Sequence, residues 1–181
     1  MNFTEEQPIV LIIFLRIGIM KYSFEPLIGK TSKVLILGSL PGAASLAAGQ
    51  YYAHKYNHFW PIIFAVLGSR EQISYYDKCR LLLDSKLALW DVARSAEREG
   101  SLDSRIKNLE PNDITGLLRG YPSIRFLIFN GGFAFSTYKK HFGTPALPCQ
   151  KVLSTSPACA GRYNEKLTMW REAVKEGLSE N

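Results

Sequence analysis

The reading of this chain turns on one stretch, KVLILGSLPGAASLAAGQYYAHKYNHFW, residues 33–60. VLIL, at 34–37, is a short apolar run with β-branched character, bounded by Lys33 and Gly38. That is the pattern of a buried parallel strand. A tight Gly-Ser-Leu-Pro-Gly turn over 38–42 ends it. Tyr51, Tyr52, His54, Tyr56, Asn57, His58, Phe59 and Trp60 then crowd into ten positions. A hydrophobic core accounts for some of these rings. It does not easily account for hydroxyls, imidazoles and an amide together, because each needs a partner when buried.

Further strands and helices follow in alternation. FWPIIFAVL, 59–67, reads as a helix with Pro61 tolerated in its first turn. Residues 75–84 hold a second helical pattern, and LALWDV, 87–92, reads as a strand. The polar stretch 95–108 reads as a surface loop. PNDITGLLRGY, 111–121, reads as a helix with Asn112 or Asp113 as N-cap and Gly120 near its end. IRFLIFN, 124–130, is a second clear buried strand, followed by a helix over FAFSTYKKHF. KVLSTS, 151–156, reads as a third short strand running into a Ser/Thr/Pro loop. NEKLTMWREAVKEGL, 164–178, is an amphipathic helix with Leu167, Trp170, Val174 and Leu178 on one side. The alternation predicts an α/β fold, a three-layer α/β/α sandwich around a short, mainly parallel sheet. Ligands of such sheets bind beyond the carboxyl ends of the strands. The turn at 38–42, Asn130-Gly131-Gly132 and Ser154-Thr155-Ser156-Pro157 would share that edge.

Whole-chain properties agree with a single soluble domain. Its 181 residues suit one domain, and 46% hydrophobic content is too high for a disordered chain. A net charge of +6 moves the reading slightly toward phosphate backbones. Three cysteines with no C-x-x-C pair argue against a disulfide scaffold, a zinc site or an iron–sulfur cluster. Free thiols in a reducing cytoplasm are the expectation. PIVLIIFLRIGIM, 8–20, is too short to cross a bilayer and is preceded by acidic Glu5 and Glu6, unlike a signal peptide. Met20-Lys21 reads as an ordinary start. Residues 1–20 are therefore expected to be an N-terminal extension, and 21–181 a single domain.

The usual phosphate and nucleophile fingerprints are missing: there is no G-x-G-x-x-G, no G-x-x-x-x-G-K-[ST], no G-x-S-x-G and no His-Glu-x-x-His. The blocks G-S-L-P-G, S-L and Q-Y-Y-A-H-x-x-N-x-F-W instead resemble the first signature of the uracil-DNA glycosylase superfamily, and most of all its hypoxanthine-DNA (deoxyinosine) glycosylase branch. WDVARSAEREGSLDSRI, IFNGGFAF and LSTSPACAGRYN resemble the later blocks in order and spacing. The resemblance covers about residues 22–178. It implies an enzyme that flips a deaminated base (hypoxanthine, then uracil or xanthine) out of single- or double-stranded DNA and hydrolyses its N-glycosidic bond. It implies a monomer with no metal and no organic cofactor. Lys55 lies near the motif but reads as exposed, so no lyase amine is singled out. The rivals are a uracil- or mismatch-specific glycosylase on the same scaffold and a non-catalytic module that binds damaged DNA.

The resemblance also assigns residues. Tyr52 is expected to stack on the flipped base from a mobile loop, with Tyr51 as the next candidate. Many relatives carry Asp or Asn inside the first turn, where this chain has Leu40. No carboxylate occurs between Gly38 and Trp60. The catalytic role is expected to pass to Asn57, whose amide can hold a water while the base departs. The ordinary reading of Asn57 is a helix cap. His54 is expected to polarise the base or hold the loop, and Asp91 is a more distant carboxylate to consider after it. His58 is expected at the surface or against a phosphate, and Phe59 and Trp60 in the core. Asn130 is expected to read the base edge with its donor and acceptor, against an ordinary role in a strand-end turn. Gly38, Ser39 and Leu40 would border the base. Gly42, Ser45, Ser154, Thr155, Ser156 and Pro157 would meet the DNA, and Ala158 to Arg162 would enter or brace the duplex, with Arg162 filling the gap or touching phosphate against an ordinary solvated role.

Overall fold

The computed structural model describes residues 20–69 and 74–179; the extension expected over 1–20 lies outside these except for Met20, which begins the first strand. Seven strands are present: β1 (Met20–Tyr22), β2 (Val34–Gly38), β3 (Leu87–Asp91), β4 (Ala93–Arg98), β5 (Ile106–Pro111), β6 (Phe126–Asn130) and β7 (Cys149–Val152). The helices are α1 (Ala43–Ala48), α2 (Phe59–Leu67), α3 (Tyr75–Asp84), α4 (Ile114–Gly120), α5 (Gly132–Phe142) and α6 (Tyr163–Leu178).

The apolar run at 34–37 is central because it is buried on both faces. Val34 and Ile36 point to one side with Phe59, Ile63, Leu82 and Trp170. Leu35 and Leu37 point to the other with Ile114, Ala134 and Tyr138. The two-residue period of a strand divides one run between two cores. Burying each such side chain contributes about 1.5–3 kcal/mol. β2 pairs in parallel with β3 and β6, and β6 with β7, in the order β3-β2-β6-β7. Helices α2, α3 and α6 cover one face and α4 and α5 the other. This is the expected three-layer α/β/α sandwich with a parallel central sheet.

Two local expectations are corrected. The stretch 95–108 is not a surface loop. It contributes β4 and β5, which join β1 in an antiparallel sheet ordered β1-β4-β5. Ala93, Ser95, Ala96 and Arg98 are its buried residues, and none is a strong apolar marker. The last strand is Cys149–Val152 rather than 151–156, since Leu153 onward turns away to the site. The glycine turn also continues into a short helix, α1, which closes on left-handed Gly49. Among the described residues no helix is long and apolar enough to cross a membrane.

Candidate active site

Four chain segments meet beyond the carboxyl edge of the parallel sheet: the turn after β2, Asp91 at the end of β3, Asn130 at the end of β6, and Ser154–Ala158 after β7. They enclose a cavity of about 410 Å³, also lined by Tyr52, His54 and Asn57. That volume suits one small organic ligand. Every site residue expected from the sequence lines this cavity except His58 and residues 159–162. Arg162 is exposed, and its guanidinium is held by Glu165, with Nε donating to the carboxylate at 2.6 Å.

Gly38 permits the closest approach in the site. A Cβ there would lie 2.5 Å from Asp91 Oδ1 and 2.8 Å from Tyr52 Oη. Asp91 is buried and accepts a hydrogen bond from Ser23 Oγ at 3.2 Å. Burial pushes its carboxyl up to about 7, and the nearby Asp103 carboxylate adds to the shift; the Ser23 hydrogen bond and the Arg98 guanidinium oppose it.

Tyr52 sits in the left-handed backbone region at φ 55°, disfavoured for a residue with a Cβ. It is anchored there on both sides. Its ring stacks on Phe59 at 4.0 Å between centroids, and Asn130 Nδ2 donates to its hydroxyl at 3.0 Å. Burial and then Asp91 raise its pKa, so the phenol is neutral. These two contacts tie Tyr52 to α2 and to the end of β6. Tyr51 belongs to the core. Its ring packs edge-on against Phe24, and its hydroxyl donates to Glu25 O at 3.1 Å.

Asn130 is the hub between two segments. Thr155 N–H donates to its Oδ1 at 3.0 Å, which fixes the orientation of the amide. Its Nδ2 then donates to Thr155 Oγ1 at 2.9 Å as well as to Tyr52. Both amide protons are spent inside the protein. A ligand can be offered only the second lone pair of Oδ1, not the donor and acceptor pair expected from the sequence.

Asn57 stands one residue before His58, the N-cap of α2, and its Oδ1 accepts from the helix's first N–H, that of Phe59, at 3.0 Å. This contact does not exhaust the amide. Among the described residues Nδ2 has no partner, and the residue lines the cavity. His54 is exposed at the rim, and its Nδ1 accepts from Tyr56 N–H at 3.2 Å, leaving Nε2 outermost. His58 is half-buried rather than at the surface. Burial and the neighbouring Lys166 lower its pKa, and its ring meets Tyr163 edge-on.

The loop after β7 is internally braced. Ser154 Oγ accepts from Ser156 N–H at 3.2 Å, and Ser156 Oγ accepts from Ala158 N–H at 3.3 Å. Each hydroxyl keeps its own proton to donate. Thr155 is fully buried, and its carbonyl accepts from His58 N–H at 3.0 Å. Lys166, also fully buried, donates from Nζ to Cys159 O and holds the following turn. Across the cavity, Leu40 is buried against Ala93 and Ala96. Ser45 Oγ accepts from Ala53 N–H at 3.2 Å and Ser101 Oγ from Ala43 N–H at 3.1 Å, so these contacts tie the turn to its neighbours. Arg98, 2% exposed, donates to the carbonyls of Leu40 and Pro41 and pairs with Asp103 at 3.4 Å. Ser39 Oγ donates to Asp103 at 2.8 Å. Arg98, Asp103 and Lys166 received no role from the sequence, because each acts on partners that are distant in the chain or on backbone.

A sequence model of the uracil DNA glycosylase superfamily matches residues 26–176. The chain is 33% identical over 156 residues to a hypoxanthine DNA glycosylase of Methanosarcina barkeri, covering 86% of this chain and 98% of that protein. It is 37% identical over 158 residues to a hypoxanthine DNA glycosylase of Methanosarcina acetivorans, with 86% and 98% covered. Its fold superposes on the solution NMR structure of a candidate uracil DNA glycosylase from Methanosarcina acetivorans with a TM-score of 0.78 at 29% identity, over 89% of this chain and 100% of that one. The chain therefore belongs to the uracil DNA glycosylase superfamily.

Proposed function

We propose that this protein is a monofunctional DNA glycosylase that excises deaminated bases, hypoxanthine foremost, by hydrolysis of the N-glycosidic bond. The observation that carries the reading is the single cavity into which the glycine turn, the aromatic block and the Ser/Thr/Pro loop converge. The names of the two Methanosarcina relatives supply the base.

The chemistry follows from the groups available. A base stacks on the face of Tyr52 that Phe59 leaves open. The C1′–N bond breaks largely before water attacks, so the sugar becomes cationic and the base leaves as an anion. Ser154 and Ser156, each with a hydroxyl proton to give, stabilise charge developing on the departing base. Asn57 holds the water through Nδ2 and the remaining lone pair of Oδ1. It cannot act as a strong base, and the highly dissociative reaction does not require one. The water adds to C1′ and gives up one proton to solvent, the anionic base takes one proton up, and the products are an abasic site and the free base. Asn130 keeps Tyr52 and Thr155 in register, a positioning role.

The test is a panel of strands, single and duplex, carrying hypoxanthine, uracil or xanthine, incubated with the protein and scored for alkali-labile abasic sites. Hypoxanthine should react fastest. Retention of lesion DNA with no abasic site on any substrate would instead make the protein a binding module, and faster release of uracil would reassign the base.

A further inference from the structure

Breaking the N-glycosidic bond leaves the base one proton short, and a group that supplies that proton as the bond breaks speeds release. Ser154 and Ser156 can donate hydrogen bonds but are too weakly acidic to surrender a proton. Stronger acids line the cavity: Asp91, Asp103, the phenols of Tyr51 and Tyr52, and His54 at the exposed rim. Burial raises both phenols above their ordinary range, so they hold their protons more firmly still. Asp103 is engaged as an acceptor. Ser39 Oγ donates to its Oδ1 at 2.8 Å, and Arg98 pairs with the same atom at 3.4 Å.

Asp91 is placed differently. It ends β3 at the floor of the cavity and is 3% exposed. Its two oxygens have separate surroundings. Oδ2 accepts from Ser23 Oγ at 3.2 Å, and Oδ1 has no hydrogen-bond partner among the described residues. Oδ1 lies 2.5 Å from where a Cβ on Gly38 would stand, and Tyr52 Oη lies 2.8 Å from the same point. The free oxygen is therefore at the hydroxyl end of the ring on which the base stacks. A base that covers this ring brings its edge to the carboxyl. The polar and charged groups facing Asp91 are Ser23 after β1, Tyr51 and Tyr52 after α1, Arg98 on β4 and Asp103 beyond it. Arg98 and Ser23 favour the ionised carboxyl, Asp103 disfavours it, and burial outweighs them, so the group titrates at about 7. An acid of this kind holds its proton near neutral pH and can still release it there.

We infer that Asp91 is the general acid of this site and gives a proton from Oδ1 to the departing base. The inference rests on the glycosylase reading above and adds the source of the proton that the base takes up. As the C1′–N9 bond breaks, its electron pair stays with the purine. The O–H bond of Asp91 breaks, and an N–H bond forms at a ring nitrogen of the purine. Water adds to C1′ and loses one proton to solvent, and solvent returns one proton to the Asp91 carboxylate. The sum is hydrolysis, with nothing else consumed. Asn57 serves the water and Asp91 serves the base.

The test is the pH dependence of single-turnover hypoxanthine release for wild type, Asp91→Asn and Asp91→Ser, with the affinity for lesion DNA measured beside it. The acid is loaded below its titration point and empty above it. The wild-type rate should therefore hold level below about pH 7 and fall about tenfold per unit above it. Both variants should be about tenfold or more slower than wild type on the acid side, with the fall gone and the affinity kept. Asp91→Ser serves where the amide is not tolerated at the buried position. A wild-type rate that stays level well above pH 7 overturns the acid, whatever the variants do. A variant that keeps the wild-type rate also overturns it. So does a variant slower by the same factor at every pH with the fall intact, which makes Asp91 a structural group. A fall that survives Asp91→Asn and disappears in Asp103→Asn moves the acid to Asp103. A wild type that releases no base at any pH overturns the glycosylase reading and the acid with it, whereas release without the fall overturns the acid alone.

Discussion

At Asp91 the fold keeps a carboxyl group where its proton is hard to remove. Ser23, Tyr52, Arg98 and Asp103 surround it, and burial outweighs the favourable contacts, so it titrates at about 7. In the unfolded chain it titrates at an ordinary carboxylate value. Between the two values the folded protein holds a proton that the unfolded chain has released. Its contribution therefore lowers stability as pH rises from about 4 through about 7. Asp91→Asn keeps an acceptor for Ser23 and removes the titration. Thermal melts of both proteins at pH 5 and pH 8 should show the mutant gaining on wild type at the higher pH. Asp103, shifted upward by burial, titrates in both proteins, and the loss of its repulsion with Asp91 adds to the mutant's gain at the higher pH. An offset that is the same at both pH values would contradict the assignment.

At the scale of elements, the site is held by contacts between β4–β5 and the glycine turn. Arg98 reaches from β4 to the carbonyls of Leu40 and Pro41 and so shapes the turn that borders the cavity. Arg98→Met keeps the apolar stem and removes the donors. Each buried acceptor left unmet costs about 1–3 kcal/mol. Urea unfolding should show a loss of that order or somewhat more, with an unchanged slope, and an unchanged midpoint would mean that the turn stands without Arg98. This pairing also explains which elements were legible in the sequence. β2 and β6 announce themselves as VLIL and FLIF because both of their faces are apolar. β4 and β5 do not, because Ala93, Ser95, Ala96 and Arg98 are buried through small size or through polar partners. Arg98 is legible as a buried residue only once Leu40 and Pro41, 58 and 57 positions away, are seen beside it. The glycine turn, Tyr52, Asn57 and the Ser/Thr/Pro loop could be located by motif. The allocation of their hydrogen bonds could not. Asn130 reads as a free amide in the chain, and in the fold both its protons are committed.

At the scale of the molecule, two sheets divide the work. The parallel sheet delivers the strand ends that form the floor: Gly38, Asp91, Asn130 and the start of the loop after β7. The antiparallel sheet closes one wall. In the proposed mechanism the lack of a carboxylate in the first turn leaves the handling of the water to an amide, and Asn57 lines the cavity with an amide nitrogen that has no partner among the described residues. The account's central claim is that hypoxanthine release runs through that residue. Single-turnover release from lesion DNA, wild type beside Asn57→Ala, tests it most directly. Asn57 Oδ1 also holds the first N–H of α2, so losing that hydrogen bond should cost about 0.5–1.5 kcal/mol of stability, and rates are compared below the melting temperature of both proteins. The account predicts that Asn57→Ala binds lesion DNA as wild type does and releases the base at least about tenfold more slowly, a loss of about 1.4 kcal/mol or more of transition-state stabilisation. A folded Asn57→Ala protein that releases hypoxanthine at the wild-type rate would contradict it.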